Sequence, residues 1–215
     1  MKHGGSRQFE WSLLCFRPSA TIASYRRSRV TNLYITKGCV FPLRVVEILF
    51  YDKHKVKLVV EMPDPNRCST EHAPHIPRLL FKLFPHLSHH RCDNDNGYTF
   101  KKESRATEIP HLFEHLIIEL QGQVHRTRVL KGETQWNWRI DPRGRFHVYV
   151  DYENEILVLG AIRLAERIIN ALDARSIDEI DLEGEFQKLR ELADIGFKIS
   201  GSAAIENAPA SVARV

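Results

Sequence analysis

The stretch from Leu43 to Tyr51 is dense in β-branched and aromatic residues, and so is Lys55 to Met62. The break at Asp52–His54 between them predicts an antiparallel hairpin. Pro63 to Pro77 carries prolines at 63, 65, 74 and 77 and reads as a loop. Arg78 to Phe84 is a short amphipathic helix ended by Pro85, and His86 to Gly97 is polar and irregular. Thr107 is placed to cap the next helix, with Pro110 in its first turn. That helix runs unbroken from His111 to Gln121, as far as Gly122. Leu112, Leu116 and Leu120 form one stripe, flanked by Phe113 and Ile117. His111, Glu114, His115 and Glu119 share the opposite, polar side.

Two further strands follow, Thr134–Ile140 and Arg145–Tyr152, joined by the turn Asp141-Pro-Arg-Gly144. Glu155 to Leu172 is helical, with Ala161, Leu164, Ala165, Ile168 and Leu172 on one face. Ser176 caps a last helix to about Ile195, and Asp178 and Glu179 complement its N-terminal dipole. The order β-β-α-α-β-β-α-α predicts a two-layer α+β fold: an antiparallel sheet of about four strands with helices packed on one face. Residues 1–40 read as a flexible basic extension, 41–198 as the domain, and 199–215 as a flexible tail.

Charge adds one point. The net charge of +4 is misleading, because residues 1–40 hold seven Lys/Arg and one acid. The other 175 residues carry 24 basic and 26 acidic side chains, so the body lacks the basic stripe that nucleic-acid binding needs. No apolar run of about 18 residues exists to span a membrane. Cys15, Cys39, Cys68 and Cys92 form no CxxC pair, and a reducing, cytoplasmic setting is expected.

The chemistry lies in His111-Leu-Phe-Glu114-His115, an H-x-x-E-H pattern. Residues i and i+4 lie one turn apart on a helix face, so both imidazoles can reach one Zn²⁺. Glu114 lies roughly 60° around the axis from His111, at about 100° per residue. A catalytic Zn²⁺ lowers the pKa of water from about 16 to near 7, and Glu114 is placed to take that proton. Spacing alone leaves a second reading open, in which two histidines and a glutamate simply face solvent.

A zinc site needs a third protein ligand and an open position. Candidates are Glu119, Glu153, Glu155, His125 and His147. Ligands at i, i+4 and i+8 span about 12 Å, so Glu119 is expected to support the ligands rather than bind. Glu155, in the first turn of its helix, is favoured over Glu153. His72, His75, His86, His89, His90 and Cys92 lack structural-zinc spacing and read as solvated or capping groups. Arg126 and Arg128, with His125, Lys131 and Arg139, either fork onto substrate carboxylates or form a solvated basic face. Trp136 and Trp138 alternate on one strand face as core or groove wall.

Several runs resemble the N-terminal domain of cyanophycin synthetase: Phe84–Cys92, Ile109–Gln121, Arg126-Thr-Arg128, and Val148 through Tyr152 to Ala165. The resemblance spans roughly residues 42–200, and the H-x-x-E-H-x-x-x-E-L-Q run is its most specific part. Ser200–Ala208 is similar to the linker that leads into that family's ATP-grasp ligase domain. These 215 residues hold no phosphate-cradling glycine loop, so ATP-dependent amide synthesis is not expected of them. In some members the domain is similar to metallopeptidases and cuts the β-Asp-Arg polymer into short primers. In others it is a polymer-binding scaffold. The resemblance thus implies His111, His115 and Glu155 on a metal, Glu114 as base, and a peptide or Asp/Arg polymer as substrate. The rival is a non-catalytic peptide-binding or assembly module, as a homo-oligomer or beside a separate ligase.

Overall fold

In the computed structural model the described residues are 26–28, 43–52, 54–92, 97–125 and 128–206; side chains of 26–28, 52 and 200–206 are not described. The hairpin forms as β2 (Arg44–Asp52) and β3 (Lys55–Glu61), and β5 (Arg145–Asp151) pairs with β3 along its whole length. β4 (Gly132–Gln135) pairs with β5, and β1 (Arg26–Ser28) adds to the outer edge of β2. The order is β1-β2-β3-β5-β4, antiparallel throughout. The four expected strands and the α+β class are therefore present. Apart from β1, the extension 1–40 lies outside the described residues, as does the tail beyond 206.

Strand alternation decides the two faces. Val56, Leu58 and Val60 of β3 and Phe146, Val148 and Val150 of β5 are all buried on one side. In β2 a bulge after Val45 shifts the phase, so Val45 and Ile48 both point inward. Each fully buried side chain of this size contributes about 1.5–3 kcal/mol. The helices α1 (His75–Leu83), α2 (Phe100–Glu103), α3 (Ile109–Val124), α4 (Glu155–Ala174) and α5 (Leu182–Glu206) complete the fold. α3 packs on β4 and β5, α4 on α3 and α1, and α5 on α4. Asn170 of α4 accepts from Leu43 N and donates to Leu43 O, and Glu166 accepts from Val45 N.

Several boundaries differ from the sequence reading: α1 starts at His75 inside the expected proline loop, the four-residue α2 was not expected, and α3 passes Gly122 to end at Val124. β4 ends at Gln135, because Trp136 and Trp138 leave the ladder to pack on Phe146, each with ring centroids 5.7 Å apart. Ser176 to Glu179 is only a 3-10 turn, and the last helix starts at Leu182, where Asp181 accepts from Gly184 N. That helix runs past Ile195 to Glu206, through Gly201. Among the described residues no helix is long and apolar enough to cross a membrane.

Candidate metal centre

α3 starts where two loops are tied together. Thr70 N donates to Thr107 O, Thr107 N donates to Thr70 Oγ1, and Ile109 N donates to Cys68 O. Thr107 does not cap the helix, because Glu108 holds the N-cap position without a side-chain bond. Its hydroxyl instead lies 2.8 Å from His111 Nδ1. Pro110 sits in the first turn, as its missing N–H allows.

The helix is not half-solvated as its polar stripe suggested. Glu114, His115 and Glu119 are 3%, 5% and 7% exposed. They are covered by β4 on one side and, on the other, by the 3-10 turn Pro85–His89 with the chain that follows it. That chain delivers Cys92, whose Sγ lies 3.4 Å from His111 Nε2. Cys92, His111 and His115 each offer a donor atom, all within 4.8 Å of one another. Phe100 stacks on the His115 ring at 3.7 Å and meets His111 edge-on at 5.6 Å. His90 reaches the same cluster, with its Nδ1 3.2 Å from His115 Nδ1 and its Nε2 2.8 Å from Glu119 Oε2.

Burial sets the charge states. It pushes His111 down to about 4, and it holds His115 well below the ordinary imidazole value, reinforced by His111 and His90. Both rings are therefore neutral at pH 7, as metal ligation requires. Burial likewise pushes Glu114 up to about 8; the bond from Thr134 opposes this and the nearby Glu133 adds to it. Glu114 Oε2 accepts from Thr134 Oγ1 at 2.7 Å, and Gly132 lies so close that an added Cβ would collide with Glu114 Oε1.

The donor chemistry fits a divalent ion. One thiol and two neutral imidazoles are soft-to-borderline ligands, and three of them leave a tetrahedral ion one open position. Metal–ligand bonds of about 2.0–2.3 Å separate tetrahedral donors by roughly 3.3–3.7 Å, and the Cys92–His111 contact matches that spacing. Cys92 and His111 are half-buried, whereas His115 is buried.

The other candidate residues lie elsewhere. Gln121 Nε2 donates to Asp151 O, which sets the β5–α4 junction beside the far half of α3. That is roughly 15 Å along the axis from His111 at 1.5 Å per residue. Glu155, at this junction, is exposed, accepts a long bond from Tyr152 Oη at 3.4 Å, and is not in the Cys–His–His group. Glu153 accepts from Arg128 N at 2.9 Å and lies 3.5 Å from His125, while His147 pairs with Asp141. The Arg128 guanidinium donates to Tyr152 O at 3.0 Å, and Arg126 lies outside the described residues. Glu119 stands behind His90 and does not enter the ligand group. Cys92 and His90, read from sequence as solvated or capping groups, belong to this centre. Their signal was the run Phe84–Cys92, whose spacing matches no local metal motif because its partners are 19 and 25 residues away.

No curated protein matches the chain. A family model described as cyanophycin synthase-like N-terminal domain matches residues 57–174, from the second hairpin strand to the end of α4 and across the whole Cys–His–His cluster. With more than half of its 215 residues so matched, the chain belongs to the cyanophycin synthase-like N-terminal domain family.

Proposed function

We propose that this domain is a metal-dependent amide hydrolase acting on the β-Asp-Arg polymer cyanophycin or a related Asp/Arg peptide. Cys92, His111 and His115 hold Zn²⁺, Cys92 taking the place that sequence alone gave to Glu155. The observation that carries the reading is three ligand atoms within 4.8 Å of one another, beside a buried carboxyl adjacent in sequence to one of them. A bound ion of this kind polarises an amide carbonyl and acidifies water. Glu114 is the proton acceptor. Thr134 fixes the direction of its carboxyl; burial raises its pKa to about 8, so the accepting carboxylate form depends on the positive charge of an ion bound beside it. Gly132 leaves the room that this carboxyl occupies. A cytoplasmic, reducing setting keeps Cys92 available as a thiol ligand.

The test is to incubate purified protein with the polymer and measure short fragments, with metal content determined by elemental analysis. Glu114→Gln is expected to lower cleavage by about 10²–10⁴-fold with metal content unchanged. Cleavage at the wild-type rate in that variant overturns the assignment. A second reading has one observation in its favour: the Glu114 carboxyl is bound to Thr134 and not to either imidazole. Metal-loaded wild-type protein that leaves the polymer intact would make the domain a binding or assembly module, self-associated or partnered with a separate ligase.

A further inference from the structure

His115 can ligate an ion through Nε2 only in the tautomer that carries its proton on Nδ1. The groups behind it determine which tautomer forms. An ionised carboxylate only accepts hydrogen bonds. Glu119 Oε2 lies 2.8 Å from His90 Nε2, so that nitrogen carries the hydrogen. Gln123 Nε2 donates to the other oxygen at 2.7 Å. When Nε2 carries the single proton of His90, its Nδ1 presents a lone pair 3.2 Å from His115 Nδ1. That contact is a hydrogen bond only if His115 donates.

We propose that Glu119 and His90 are positioning residues that fix His115 as its Nδ1–H tautomer and so aim its Nε2 lone pair at the ligand position. The stack with Phe100, at 3.7 Å and 24° between planes, holds the ring in that orientation. His111 lacks such a directional partner, because the Thr107 hydroxyl at its Nδ1 can either donate or accept. The usefulness of the relay rests on the metal reading above, but its direction does not.

The experiment is long-range ¹H–¹⁵N correlation spectroscopy on metal-free protein, with zinc affinity measured separately by competition with a chelator. Wild-type His115 is expected to be protonated on Nδ1. His90→Phe removes the acceptor, and is expected to mix the tautomers and weaken zinc binding about 10–100-fold. Glu119→Gln keeps an oxygen that can accept from His90, and is expected to retain the tautomer and lose less affinity than Glu119→Leu. This pair carries the test if His90→Phe does not fold. Wild-type His115 protonated on Nε2 overturns the relay, and so do equal affinities for Glu119→Gln and Glu119→Leu. Wild-type protein that binds no zinc but shows the Nδ1–H tautomer overturns the metal reading and leaves the relay standing.

Discussion

Two polar networks lie on opposite faces of the sheet. On the outer face Glu61 accepts from Arg145 and Arg44, Lys55 lies 3.8 Å from Asp151, and His147 pairs with Asp141. These groups pair with one another, Lys57 lies over the Tyr149 ring, and water reaches most of them. Under the helices, Cys92, His111 and His115 are brought together without a carboxylate in their own group. Burying polar groups is unfavourable unless they are paired. The outer network meets that demand by ion pairing, and so it concerns stability. The inner one gathers three potential ligand atoms within 4.8 Å of one another, a group that could hold a metal ion.

Removing one member from each network separates them most sharply. Cys92→Ala or His111→Ala is expected to reduce zinc affinity by about 10²-fold or more, since losing a ligand exceeds the 10–100-fold effect of losing a supporting group. Arg145→Met and Glu155→Ala are expected to leave that affinity unchanged. Competition titration of the four variants checks this. A loss with Glu155→Ala equal to that with Cys92→Ala would move the third ligand back to the α4 N-terminus.

A smaller effect is expected where β4 meets α3. Gly132→Ala puts a methyl group against Glu114 Oε1, so either the carboxyl swings off Thr134 or β4 shifts from β5. Overpacking of this kind costs about 1–3 kcal/mol, measurable as a lower urea midpoint. The cleavage rate should fall with it if Glu114 is the base. Unchanged stability and rate would mean that the carboxyl has room the close contact denies it.

The contrast between the networks also shows what the sequence could reveal. Helical period placed His111, Glu114, His115 and Glu119 on one side of α3, and the structure keeps them there. Period says which residues share a face but not what covers it, so a stripe that reads as solvated turned out buried. The covering pieces are a 3-10 turn, a four-residue helix and a short strand. None is long enough to show a period of its own. Cys92 and His90 reach the cluster by chain reversal, and no local spacing encodes that. Trp136 and Trp138 alternate like a strand, yet the second donates its indole N–H to Arg145 O from outside the ladder. The strands of the hairpin and β5 were legible because β-branched and aromatic residues are dense there; burial alternates throughout β5 and, apart from Val59, in β3, while the bulge breaks the phase in β2.

The outer network gives the smallest and most conditional effect. Hydrogen bonds from the Arg145 guanidinium, at 2.6 and 3.3 Å, lower the Glu61 pKa; partial burial opposes them, and the charges of Arg145 and Arg44 with a bond from Arg44 add to them. The carboxyl thus sits below its ordinary 4.5 in the folded state. A depressed folded pKa means that the unfolded chain binds more protons at acid pH. The pairing contributes in full above about pH 4.5 and is lost as pH falls through the folded value. Solvent screening limits it to about 0.2–1 kcal/mol. Glu61→Gln should therefore lower the urea midpoint slightly at pH 7, and the difference should shrink as pH falls below about 4.5 and in high salt. A gap that persists undiminished at pH 3 would show that Glu61 acts through packing, and would remove the distinction drawn between an ion-paired face and a ligand cluster.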